Sequence, residues 1–264
     1  MPTPEHLPAQ SGRVQVSVAV VTGAGSGIGR ATALLFAERG YAVVAADKNT
    51  SGAEETAAGG DHIIAHHVDV TDPGQVVAMV ETARRAFGGI DVLVTAAAAS
   101  VSAPVVDLSE RDWRLVVDSS LTGTYLCCRA AIPELRRSSG GAIVTFGSVL
   151  GRGGMVGLGA YSAAKAGLEA LTRTLALEHA REGIRTNCIL PGSTDTPLMW
   201  QGLSAEQRAA ARPVADSEQP RGRIAEPIEI ARAVYFLASE DASFVNGASL
   251  VVDGGMLAKI ASTY

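Results

Sequence analysis

The sequence predicts an α/β fold: a doubly wound parallel sheet of about seven strands with helices on both faces. Two observations predict it. Short β-branched runs alternate along the chain with longer segments of helical periodicity. A glycine-rich turn also joins the first such run directly to the first helical pattern, the junction at which open parallel sheets of this kind begin.

Val16-Ser17-Val18-Ala19-Val20-Val21 gives a strand near 16–22. Ala31-Thr32-Ala33-Leu34-Leu35-Phe36-Ala37 gives a helix at about 27–39, stopped by Gly40. The apolar run Tyr41 to Ala46 is the second strand, closed by Asp47. A third strand is expected near 62–68. Asp72-Pro73 then starts a helix at about 72–87, with proline at its first position and Gly88 just past its end. Strands near 90–95 and 141–147 flank a long helix at about 109–137. A helix at about 160–182, ended by Gly183, leads into a strand near 184–190. Glu226-Pro227 opens the last helix, about 227–238, before a final strand near 248–252. Residues 196–223 have no clear place in the sheet. There Leu198-Met199-Trp200 precedes a polar helical stretch, Ser204 to Arg212, and a long insertion of this kind is expected to act as a lid. Residues 1–15, with three prolines and no apolar stretch, read as a loose tail before a single domain at 16–264.

Composition narrows the function classes. The chain has 264 residues, more than the ~150-residue rule of thumb for one domain, but α/β folds commonly reach this size as one unit. With 47% hydrophobic residues and a net charge of −5, it suits neither disorder nor a basic nucleic-acid-binding surface. No run approaches the ~18 apolar residues of a membrane span. Cys127, Cys128 and Cys188 fit neither a disulfide framework nor a zinc site and are expected as buried packing thiols in a reducing cytoplasm. The five histidines, His66-His67 among them, are expected to be structural or on the surface.

Two segments carry chemistry. Thr22-Gly23-Ala24-Gly25-Ser26-Gly27-Ile28-Gly29 is a strand-to-helix turn in which glycines let the backbone approach a pyrophosphate and the helix N-terminus offers N–H groups. Asp47, 24 positions after Gly23, stands where a carboxylate would bind an adenosine ribose. The second segment is Tyr161-Ser162-Ala163-Ala164-Lys165, preceded by Ser148. A spacing of four puts phenol and ammonium one turn apart on a helix face. The ammonium is expected to lower the tyrosine pKa toward the range of a general base.

In this order the motifs resemble those of the classical short-chain dehydrogenases/reductases, over about Val16 to Gly255. The resemblance rests on the Thr22–Gly29 turn, Asp69-Val70, Ser148, the Tyr161/Lys165 pair, Asn187, Pro191-Gly192 with Thr196, and Val252-Asp253-Gly254-Gly255. The 13-residue interval from Ser148 to Tyr161 is also the family's usual one. It implies a Rossmann-type fold and an oxidoreductase that passes hydride between a secondary alcohol, or its ketone, and a nicotinamide, without a metal. Tyr161 would be the acid/base and Ser148 the partner of the reacting oxygen, while Lys165 would hold the nicotinamide ribose. The cofactor would contact Gly23, Ser26, Gly27, Ile28, Gly29, Asp47, Asp69, Val70, Ala96, Ala97, Pro191, Gly192, Thr194 and Thr196. Asp47 points to NAD, because a 2′-phosphate there would meet a like charge.

The chain departs from the family pattern at two places. Thr95-Ala96-Ala97-Ala98 replaces Asn-Asn-Ala-Gly, removing two bracing amides and a glycine. Ser120 replaces a fourth catalytic residue, an asparagine that serves largely through its carbonyl; Ser119-Ser120 in mid-helix favour the local bend this role needs. By the same resemblance the substrate pocket would include Leu150, Arg152, Met155, Met199 and Trp200, with Arg152 as an anion handle. Two alternatives stay open beside the alcohol dehydrogenase: a 3-oxoacyl-type carbonyl reductase and a catalytically weakened dinucleotide-binding regulatory protein. The helices at 109–137 and 160–182 are expected to build a homotetramer, the second through Ala160, Ala163, Ala164, Gly167, Leu168, Leu171 and Leu175.

Overall fold

A computed structural model describes residues 16–138 and 140–259; the tail expected at 1–15 lies outside them. Seven parallel strands form one sheet in the order β3-β2-β1-β4-β5-β6-β7. They are β1 (Val18–Thr22), β2 (Ala42–Asp47), β3 (Ile63–His67), β4 (Val92–Thr95), β5 (Ala142–Phe146), β6 (Arg185–Pro191) and β7 (Ser249–Val252). Strand order reverses between β1 and β4; β1 is flanked by β2 and β4, paired in register at Ala19↔Val43 and Ala19↔Val92. Ligands of such sheets bind in the crevice that this reversal opens at the carboxyl ends of the strands.

Alternation along each strand divides the core between the two faces. Val18, Val20, Val44 and Leu93 pack with Val76, Met79, Cys128 and Leu135 from α3 (Pro73–Phe87) and α5 (Gly123–Leu135). Ala19, Val21, Val43 and Val94 point the other way, onto Phe36, Ile230 and Val234 of α1 (Gly27–Glu38) and α8 (Pro227–Ala238). Both strand faces are apolar, as a sheet covered by helices on both sides requires. The three cysteines are free and buried. His66 and His67 sit on β3, with ring nitrogens 3.3 Å from the Thr82 hydroxyl and 3.0 Å from the Thr50 hydroxyl.

Two elements differ from the sequence expectation. A short helix, α2 (Thr50–Ala57), follows β2, capped by Asn49, whose side chain accepts from the Gly52 N–H at 3.3 Å. The expected helix at 109–137 is two helices, α4 (Glu110–Val117) and α5, joined by a π-helical turn over Asp118–Thr122. The remaining helices are α6 (Gly159–His179) and α7 (Ala205–Glu218). Among the described residues no helix is long and apolar enough to cross a membrane.

Candidate active site

A cavity of about 1150 Å³ opens beyond the carboxyl ends of β1, β2, β4, β5 and β6. Its walls hold Gly23, Ser26, Gly27, Ile28, Gly29, Asp47, Asp69, Val70, Ala96 and Ala97, together with Pro191, Gly192, Thr194 and Thr196. Ser148, Tyr161, Lys165, Leu150, Met155 and Met199 line it too.

The glycine turn is shaped by close approach. Gly23 has φ 69°, and a Cβ there would lie 2.7 Å from the Ala97 nitrogen; only glycine lets β1 turn beneath the β4 loop. At Gly29 a side chain would collide with the Gly23 carbonyl. Ser26 caps α1 in extended backbone but makes no side-chain cap bond, so the first-turn N–H groups face the cavity without a protein oxygen from that residue. At the end of β2 the two Asp47 oxygens accept from the Gly25 N–H at 2.8 Å and the Asn49 N–H at 2.7 Å, which fixes the carboxylate at the cavity wall. Lys48 turns to Asp69, Nζ to Oδ2 2.6 Å. That hydrogen bond holds the Asp69 carboxyl down to about 2, aided by Thr71. A turn open to phosphate, a fixed carboxylate and a cavity above the usual ~300–1,000 Å³ of small-ligand sites together fit a dinucleotide with a substrate beside it.

The polar trio lines the same cavity. β5 delivers Ser148, 7% exposed, whose Oγ accepts from the Leu150 N–H at 3.1 Å. One turn apart on α6, the Lys165 ammonium donates to the Phe146 carbonyl at 2.7 Å and lies 5.4 Å from the Tyr161 ring centroid. Burial lowers the Lys165 pKa to about 8. Tyr161 contradicts the expectation of a lowered pKa: burial raises it, and the hydrogen bond from Ser148 only partly offsets this. The cause is burial, which takes the phenol out of water and disfavours the phenolate.

The two departures behave differently. Ala98 lines the cavity without positive φ, so the backbone there does not require the missing glycine. Thr95, where an amide would brace the sheet, is buried with an unpartnered hydroxyl. Ser120 sits in the π turn, fully buried and outside the cavity wall. Its hydroxyl has no partner and its carbonyl accepts from the Thr124 hydroxyl at 2.8 Å.

Two expected substrate contacts are corrected. Arg152 does not line the cavity; its guanidinium forks onto Glu169 of α6, with Nη2 to Oε2 2.7 Å and Nε to Oε2 3.0 Å. Trp200 is 7% exposed and points its indole N–H at Asp195, 2.7 Å away, instead of into the cavity. In their place the wall is completed by Ser100, Val101, Ser102, Val156, Leu158 and Glu218. Ser100 to Ser102 directly follow the β4 loop, so their neighbourhood was visible in the sequence. Glu218, at the far end of α7, lies in the segment 196–223 expected as a lid, with nothing in the sequence to single it out.

A family model described as enoyl-(acyl carrier protein) reductase matches residues 23–257. The chain is 46% identical, over 91% of its length and 96% of the relative's, to cis-4-hydroxycyclohexanecarboxylate dehydrogenase of Sinomonas cyclohexanicum. It is 37% identical to cyclohexanol dehydrogenase of an Acinetobacter species, over 94% and 98% of the two chains. A crystal structure of ribose-5-phosphate isomerase from Brucella melitensis 16M superposes with a TM-score of 0.84 at 38% identity, covering 92% of this chain and 93% of that one. The chain therefore belongs to the short-chain dehydrogenase/reductase family and is an oxidoreductase of that family.

Proposed function

We propose that the protein is an NAD(H)-dependent dehydrogenase that interconverts a ring-sized secondary alcohol and its ketone, working in the cytoplasm as a homotetramer. The observation that supports it most is the convergence of Ser148, Tyr161 and Lys165 on the wall that also presents the glycine turn and Asp47. A nicotinamide dinucleotide would supply the hydride acceptor in oxidation and the donor in reduction. The glycine turn and the open N-terminus of α1 would hold its pyrophosphate, and Asp47 its adenosine ribose. Ser148 orients the reacting oxygen through its hydroxyl. Tyr161 takes the hydroxyl proton of the alcohol as the carbon–hydrogen bond breaks, or returns it to the carbonyl in the reverse direction. Lys165, with a pKa near 8, exchanges protons close to neutral pH and stands close enough to stabilise a tyrosinate as it forms.

Three features support the finer choices. Lys48 is engaged by Asp69, which leaves the Asp47 carboxylate to face the ribose and favours NAD over NADP. Around the substrate end the wall is Ala98, Ala99, Leu150, Met155, Leu158 and Met199, with Glu218 as the charged lid residue, a lining suited to a neutral apolar alcohol. The relative named for cyclohexanol is in keeping with that size and polarity, and the one named for cis-4-hydroxycyclohexanecarboxylate with the ring size alone, since its substrate carries a carboxylate. The test is to follow reduced nicotinamide by absorbance with cycloalkanols and open-chain secondary alcohols, each with NAD and NADP. Turnover of a cycloalkanol with NAD is expected; cofactor binding without turnover of any alcohol would favour the regulatory alternative.

A further inference from the structure

The chain between β6 and α8 is pinned at its two ends. Thr194 bridges Ala225, the Asp195 N–H donates to the Ala225 carbonyl at 2.9 Å, and the Ala225 N–H to the Ser193 carbonyl at 2.9 Å. Between these pins the segment supplies Met199, Gln201, Ala215 and Glu218 to the cavity wall. Yet α7, which bears the last two, has no buried residue along its 14 positions. Apolar burial is what ordinarily seats a helix on a domain. Something else holds this one.

That something converges on one carboxylate. Asp195 Oδ1 accepts from the Trp200 indole N–H at 2.7 Å and from Arg208 Nη2 at 2.6 Å, and Oδ2 from Arg212 Nη1 at 2.6 Å. Arg208, Arg212 and Asp216 follow one another at intervals of four, so they share one face of α7. Arg212 passes on to Asp216 at 3.1 Å, and Asp216 accepts from the Ile224 N–H at 2.8 Å, returning the network to the pinned base. The Arg208 guanidinium also lies 5.6 Å from the Trp200 ring centroid. Isolated surface ion pairs contribute little. Here, though, the Asp195 side chain is only 14% exposed and binds three donors at once, one of them on a buried tryptophan. Burial alone would raise the Asp195 pKa, but the Trp200 hydrogen bond and the two arginines outweigh it and hold the carboxyl below its usual range.

We propose that Asp195 is the positioning residue of the substrate wall: it latches α7 over the cavity through Trp200, Arg208 and Arg212, and so sets the affinity for the alcohol without touching it. The proposal rests on reading the cavity as a dehydrogenase site. Asp195→Asn keeps the shape of the side chain and removes the charge that gathers the arginines. The experiment uses the full chain with Trp113→Phe, which leaves Trp200 as the sole tryptophan. Asp195→Asn is expected to shift Trp200 emission to the red, to expose it to an added quencher, and to raise KM for a cycloalkanol by about tenfold or more, well beyond any fall in kcat. NADH affinity should hold. Asp195→Glu, which restores the charge, should return the emission toward that of the parent. Should Asp195→Asn fail to fold, the double variant Arg208→Leu with Arg212→Leu leaves the base intact and must give the same emission and KM changes. Unchanged emission and KM would overturn the latch, as would a loss of NADH affinity as large as the loss of substrate affinity. If the parent turns over no alcohol, the dehydrogenase reading fails, while Trp200 emission still decides whether Asp195 holds α7.

Discussion

Tyr161 is held in two opposing environments. Burial raises its pKa, and the Ser148 hydrogen bond works against that rise. A phenol kept protonated is ready to donate to a carbonyl, but must be relieved of that penalty to act as base. Tyr161→Phe deletes the hydroxyl and keeps the ring, so it is expected to lower kcat by ~10²- to 10⁴-fold with NADH affinity nearly unchanged; activity near that of the parent would assign the proton to another group. Asp47 governs cofactor choice through charge. Its oxygens are fixed by the Gly25 and Asn49 N–H groups, so a 2′-phosphate would meet a carboxylate that cannot swing away. Asp47→Ala is expected to raise kcat/KM with NADP relative to NAD, and an unchanged ratio would show that the carboxylate is not the cause. Both residues were legible in the sequence, because their roles depend on backbone spacing: four positions on a helix, and the end of the strand after the glycine turn. Arg152 and Trp200 were not. Each lies where a pocket residue would lie in the chain, but partners far off in sequence, Glu169, or created by a local turn, Asp195, decide where the side chain goes.

The elements show the same division between local and distant causes. Strand alternation and the prolines and glycines at helix ends are local signals, and they predict all seven strands to within about two residues. α2 escaped because Thr50 to Ala57 has hardly any apolar stripe and a glycine inside it; its sign was Asn49, whose side chain caps Gly52. The serine pair did mark a bend, and the structure makes it a π turn at Asp118–Thr122. What the sequence could not show is that Ser120 would be sealed off, with Thr124 on its carbonyl and nothing on its hydroxyl. A buried hydroxyl without a partner costs desolvation energy, so Ser120→Ala is expected to stabilise the protein by about 1 kcal/mol. In a chain of this size that corresponds to a rise in Tm of ~2–4 °C, measurable by calorimetry. Turnover should stay within a few fold of the parent if Ser120 acts through its backbone carbonyl. A large loss of turnover with an unchanged Tm would instead give the hydroxyl a part in the chemistry.

At the scale of the whole molecule, the surface left uncovered by one chain bears on assembly. Part of the face expected to join subunits is already covered within the chain: Ala160, Ala164, Leu168 and Leu175 are buried, Leu175 in the core beneath the sheet. The helical periodicity correctly marked them as apolar but could not say which neighbour would cover them. Other apolar groups remain open to solvent. Trp113 on α4 and Tyr125 on α5 are 42% and 46% exposed, and Leu177 on α6 is 82% exposed. Phe244, between α8 and β7, is also fully exposed. Single exposed hydrophobics are ordinary, but several on adjoining helices suit burial between subunits. Light scattering at micromolar concentration is expected to give the mass of four chains, and Leu177→Glu and Phe244→Glu each to lower it. A single-chain mass for the parent protein would defeat the proposal. So would a tetramer that survives both substitutions, because a charge buried at each copy of an interface without a partner costs several kcal/mol.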